Sequence, residues 1–274
     1  MLIFGAVAPH GGDIIPQIAE DPSVMAKTRE AMRELGKRFA DAQPETVVIA
    51  TPHGLMVEGA ITVGATARAA GILEGRAGKR FKAVFDNDLE FVETLEKRLL
   101  QQNVPHVRLI GEEKKREAVL PLDWGALVPL WFTAHPMQAR PQIVVLAPDR
   151  QLPREVLVRS GVAIAQAADD AGKRVAFIAS CDLGHAHDPE GPYGFDPTAA
   201  EHDRLFCDVL RTGDFAALLD WSPEFLEAAK VDAYWQTLML AGALGHTPLV
   251  GEFLSYEAPT YFGMAVASYS PAAQ

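Results

Sequence analysis

Apolar runs of strand length recur along this chain: LIFGAVA at 2–8, TVVIAT at 46–51, AITVGAT at 60–66, QIVVLA at 142–147, RVAFIAS at 174–180 and TYFGMAVASY at 260–269. A strand with one wet face alternates apolar and polar residues. Several of these runs are apolar throughout, so both of their faces need cover. Segments with helical spacing lie between them. In residues 22–42, Met25, Met32, Leu35 and Phe39 recur at the spacing of one helix face, behind start signals at Pro22 and Ser23. Residues 87–103, 153–172, 197–213 and 231–245 behave likewise, and several close on glycine. Strand and helix in alternation predict an α/β class chain: one layered domain over residues 1–274, with a central mixed, largely parallel sheet flanked by helices. No linker, low-complexity tract or compositional break divides it.

Composition narrows the function. A chain of 274 residues that is 49% hydrophobic and 22% charged can build a large core without disulfides. The net charge of −11 and a pI of about 5.2 argue against nucleic acid or an anionic membrane as the main partner, though not against a small anionic ligand. Cys181 and Cys207 form neither a metal-type spacing nor a disulfide framework, so a reducing cytoplasm is expected. The first apolar run has no basic region before it and meets Pro9 and His10 at once, unlike a signal peptide or a membrane span.

Two of the apolar runs end in the same turn: Ala8-Pro9-His10-Gly11 and Thr51-Pro52-His53-Gly54. In an open α/β sheet, ligands collect beyond the carboxyl ends of the strands, and such turns aim side chains there. The run at 174–180 continues into CDLGHAH, which puts Asp182, His185 and His187 at a comparable place. A lone histidine in a loop is commonly solvated or satisfied by its neighbours. His106, His135 and His246 are read that way, and His202 as part of a helix face. The paired context lifts His10 and His53 out of that class.

Two imidazoles need a third ligand to hold a metal, and a carboxylate is the natural candidate. Glu257, just before the last apolar run, is the expected ligand; its competitor Glu252 reads as an exposed strand residue. Two neutral imidazoles and one carboxylate leave a divalent ion with open positions, the pattern of non-haem Fe(II) oxygen chemistry. Zinc in a hydrolase uses the same donors, and manganese stays open as well. Other signals are weaker. Gly11-Gly12 lacks any phosphate-loop continuation, and Cys181 near His185 is more simply a buried thiol than a nucleophile. Trp124, in LDWG ahead of an apolar helix, can wall an aromatic pocket or pack in the core. Residues 112–117, EEKKRE, read as a solvated charged stretch.

Taken together, AVAPHGG, TPHG, ASCDLGHAHDPEGPYGFDP and YEAPTYFGMAVASY resemble the class III extradiol ring-cleavage dioxygenases, of the protocatechuate 4,5-dioxygenase catalytic-subunit type, with the Memo-type proteins as relatives. The resemblance spans nearly the whole chain in order. It implies an Fe(II) site made by His10, His53 and Glu257, with His185 as the acid/base residue. It also implies O2 and a catechol-type or 2-aminophenol-type ring as substrates, a homo-oligomer, and a possible small accessory subunit. Trp124 stands where many members carry a second pocket histidine, and Trp124 and His187 are the expected substrate contacts. A zinc-dependent hydrolase on the same ligands, or a non-catalytic Memo-like binding protein, are the rival expectations.

Overall fold

A computed structural model describes residues 1–75, 78–110 and 118–272. The charged stretch 112–117 lies outside the described residues. In chain order the elements are β1 (Leu2–Ala8), α1 (Ala26–Ala42), β2 (Thr46–Ala50), β3 (Ile61–Gly64), β4 (Arg68–Glu74), β5 (Arg80–Asp86), α2 (Leu89–Gln101), β6 (His106–Leu109) and β7 (Val119–Pro121). There follow α3 (Trp124–Phe132), β8 (Gln142–Pro148), α4 (Arg154–Ala171), β9 (Val175–Ser180), α5 (Pro197–Thr212), α6 (Pro223–Ala229), α7 (Tyr234–His246), β10 (Val250–Glu257) and β11 (Met264–Ser270).

The main sheet has eight strands in the order β10-β11-β1-β9-β2-β8-β3-β6. Its centre, β1-β9-β2-β8, is parallel throughout, while β3 and β11 pair antiparallel against it. This is the expected mixed, largely parallel sheet. The unbroken apolarity of the central strands follows from cover on both faces. In β2, Val48 and Ala50 join the core beneath α2, α4 and α7, whereas Val47 and Ile49 join the core beneath α1 and α3.

Some elements depart from the sequence reading. The run at 260–269 is not one strand: residues 260–263 form a turn, and β11 begins at Met264. Glu257 and Pro259 therefore lie at the end of β10 and in the connection, not at the start of the last strand. β4 and β5 form a hairpin in a separate three-stranded sheet with β7. β5 buries Phe81, Ala83 and Phe85 and turns Arg80, Lys82 and Val84 outward. That half-wet alternation has no long apolar run to announce it.

Helices α4 and α7 lie side by side because two glycines leave room. A Cβ on Gly161 would sit 1.8 Å from the Met239 carbonyl oxygen, and one on Gly242 would sit 1.9 Å from the Val158 carbonyl oxygen. Alanine gains about 1 kcal/mol over glycine in an exposed helix, but backbone overlap of this size forces the helices apart. We expect Gly161→Ala to lose about 2–4 kcal/mol of stability in urea unfolding. A gain would show that the two helices do not touch there.

Candidate metal centre

The carboxyl ends of β1, β2, β8 and β9 come level at one edge: Ala8 pairs with Ser180, and Ala50 with Ala179 and Leu146. His10 follows β1, His53 follows β2, and Asp182 and His185 follow β9. The repeated turns thus deliver two imidazoles to a common point. Their Nε2 atoms lie 3.1 Å apart. The third group there is Asp232, in the short link between α6 and α7. Its Oδ2 is 3.3 Å from His10 Nε2 and 3.2 Å from His53 Nε2. Among the described residues, His10, His53 and Asp232 are the group of donors placed to share one ion.

Hydrogen bonds around the triad set which atoms are free. The Ser180 hydroxyl donates to the Gly125 carbonyl, so its oxygen accepts from His10 Nδ1 at 2.9 Å. That places the His10 proton on Nδ1 and a lone pair on Nε2, facing the other donors. Gly125 is required here, since a Cβ would lie 2.4 Å from Thr51 Oγ1. Asp182 ties two members of the triad together: its Oδ1 accepts from the His10 backbone N–H at 2.9 Å, and its own N–H donates to Asp232 Oδ1 at 3.1 Å. His53 is held from outside by Trp124, whose ring stacks on it at 4.2 Å and 28°.

The electrostatics are those of a site that wants a cation. His10 is 1% exposed, and burial disfavours its charge. The nearby Asp182 and Asp232 carboxylates outweigh that and push its pKa up to about 9. Burial likewise resists the charge on Asp232, yet the facing imidazoles hold it well below the usual carboxylate range. Asp182 is pushed up, chiefly by burial, with His10 opposing and Asp232 adding. Two buried carboxylates facing two imidazoles leave negative charge that only a proton or a metal offsets.

His185 lies in the same cleft, a cavity of about 590 Å³ whose walls include His53, Asp232 and His185. Its Nδ1 is 2.8 Å from the Leu183 carbonyl oxygen. A carbonyl only accepts, so Nδ1 carries the hydrogen and Nε2 keeps a lone pair. The ring stacks on Phe262 at 5.5 Å and 21°, with the edge of Tyr193 at 5.8 Å.

The remaining expected residues fall elsewhere. Glu257 is not in the triad: its Oε1 accepts from the Thr28 backbone N–H at 2.6 Å, at the start of α1. Its place among the donors is taken by Asp232. Glu252 is on β10, in an ion pair with Arg38. His187 is not in the wall of the cleft. It bonds Asp203 at 2.9 Å, and the same buried carboxylate accepts from Tyr256 Oη and the Gly184 N–H and contacts His202 Nδ1. This hub braces the loop that carries His185. His202 lies on α5 as the sequence indicates, on its buried face. Trp124 opens α3 behind the capping residue Asp123 and stacks on His53, outside the cavity wall. Cys181 is fully buried, and burial pushes its thiol well above the ordinary range, so it is no nucleophile.

The family model described as the catalytic LigB subunit of aromatic ring-opening dioxygenase matches residues 5–267. The chain belongs to this family. A curated relative, Protein CA_C1420 of Clostridium acetobutylicum, is 24% identical over 260 residues, covering 94% of this chain. The chain spans 55% of that relative's length. The crystal structure of the uncharacterized protein JW3007 from Escherichia coli K12 superposes with a TM-score of 0.57 at 15% identity. It covers 97% of this chain and 99% of its own, a likeness of fold. Among the described residues no helix is long and apolar enough to cross a membrane.

Proposed function

We propose that this LigB-family chain is a non-haem Fe(II) dioxygenase that opens a catechol-type or 2-aminophenol-type ring with O2, at an extradiol bond. His10, His53 and Asp232 hold the ion, and His185 moves the proton. The observation that carries this reading is the triad: three donor atoms, from three segments of the chain, lie 3.1–3.3 Å apart. Ligands about 2.1 Å from one ion are about 3.0 Å apart at right angles and about 3.4 Å apart in a tetrahedron. The donors suit a single divalent ion, and both imidazoles and a carboxylate are the donor set of oxygen-activating iron.

Iron, when bound, supplies Lewis acidity toward the diol oxygens and the redox chemistry that O2 requires. The protein supplies the rest. Asp182 fixes the His10 backbone and Asp232 together, so the ligand face is preformed. His185 Nε2, with its lone pair free, takes a hydroxyl proton from the ring substrate and returns it as the ring opens. Phe262 and Tyr193 hold the His185 imidazole in place through ring contacts. The apolar part of the cleft wall, including Leu152, Leu157 and Leu226, receives the ring.

The test is anaerobic loading with Fe(II) followed by an oxygen-electrode screen of catechols and 2-aminophenols. One O2 consumed per ring lost is the expected result. Zinc retention with ester or amide hydrolysis and no oxygen uptake would assign the same ligands to a hydrolase. Failure to retain any divalent ion would favour a binding protein.

A further inference from the structure

The fourth parallel strand at the site's edge, β8, has no ligand to deliver. It ends at Pro148, and the next turn carries Arg150 into the wall of the cleft that holds His53, Asp232 and His185. That wall contains two other cations, and both are engaged. Lys230 is paired with Glu227, and Arg154 donates to the carbonyls of Leu219 and Trp221. Among the described residues, no carboxylate or carbonyl partner faces the Arg150 guanidinium; its contact is the face of Trp235, 4.8 Å from the ring centroid.

The local structure holds Arg150 ready. The Trp235 indole N–H donates to the Arg150 carbonyl at 2.7 Å, which fixes the indole beneath the guanidinium. Asp149 anchors the turn by accepting from the Gly59 and Gln151 N–H groups. A guanidinium lying on an aromatic face keeps its edge N–H donors free, in a planar fork that matches a carboxylate. Trp235 is also three residues from the ligand Asp232, within about 10 Å along even a fully extended chain. Arg150 and the triad residues His53 and Asp232 therefore line one cavity of about 590 Å³, large enough to take a substituted ring between them.

We propose that Arg150 is a specificity residue that binds an anionic substituent, a carboxylate carried on the aromatic substrate away from its two oxygens. The substrate class is then an aromatic acid in place of a neutral catechol. This rests on the ring-cleavage reading for its diol, but not for its anion site.

Two pairs of probes separate the two. With Fe(II)-loaded protein under argon, binding of 3,4-dihydroxybenzoate and of 4-methylcatechol is measured by calorimetry. With metal-free protein, benzoate and benzamide, which have no diol, are titrated by tryptophan fluorescence and by calorimetry. R150Q is expected to bind 3,4-dihydroxybenzoate and benzoate about ten- to a hundredfold more weakly, with 4-methylcatechol unchanged. R150K, which keeps the charge without the fork, falls between. Equal effects of R150Q on acid and neutral probes, or none on either, overturn the proposal. Should neither diol bind wild-type protein while benzoate still depends on Arg150, the anion site stands and the ring-cleavage reading falls. Benzoate binding that acetate competes away equally well would show a bare anion site and overturn the aromatic-acid assignment.

Discussion

Asp232→Asn is expected to strip the protein of its divalent ion, lowering metal affinity by more than about a hundredfold, since even groups that only orient ligands are worth ten- to a hundredfold. The change keeps the side-chain volume and leaves an Oδ1 to accept from the Asp182 N–H. What it removes is the charged oxygen facing both imidazoles at 3.2 and 3.3 Å. The matched control is Glu257→Gln, which preserves the acceptor for the Thr28 N–H and lies outside the triad. It is expected to retain a full equivalent of metal. Elemental analysis after anaerobic loading and desalting decides between them. Metal lost from Glu257→Gln and kept by Asp232→Asn would return the ligand role to Glu257.

His185→Gln should separate chemistry from binding. The residue sits in the cleft wall but outside the donor triad, so iron content and anaerobic catechol affinity are expected to stay at wild-type values. Turnover is expected to fall about 10²- to 10⁴-fold, the range that a positioned acid/base group contributes. Added imidazole should restore part of the rate, because the cleft is open to solvent and the missing function is a proton carrier. A residue that only packed against Phe262 and Tyr193 would give no such rescue. Loss of iron in step with loss of turnover would make His185 a ligand.

Both predictions turn on a residue assignment that differs in how visible it is from the chain alone. His10 and His53 announce themselves, because each ends an apolar run with the same Pro-His-Gly turn, and strand ends are where α/β sheets put their ligands. His185 is visible for the same reason. Asp232 is not. It sits in VDAYWQTLML, two residues before α7 begins, where an acidic residue reads as an ordinary helix-start signal. Its one signal is a carboxylate at the entry to a strongly apolar helix, and only the structure shows it buried, at 4% exposure. Glu257 is the more conspicuous acid because it stands directly before the last apolar run, a position that the sequence alone makes equivalent to the other strand-end sites. Likewise, His187 follows His185 at a spacing of two as a weaker candidate, and the chain sends one imidazole to the cleft and the other to Asp203.

The β-hairpin of β4 and β5 illustrates the same limit for the fold. Its strands are half wet, so their pattern is short and broken by charges, whereas the central strands, covered on both faces, are continuous apolar runs.

Local order along the chain was enough to determine an α/β layered fold, its central strands and the two histidines at their ends, because burial on both faces and tight turns leave marks within a few residues. Which carboxylate completes the set was decided only in three dimensions. Strand register brings β1, β2 and β9 level, close packing at Gly161 and Gly242 seats α7 against α4, and that docking carries Asp232 to the two imidazoles. Convergence of groups about 180 to 220 residues apart in the chain depends on packing between elements, and no local pattern encodes it.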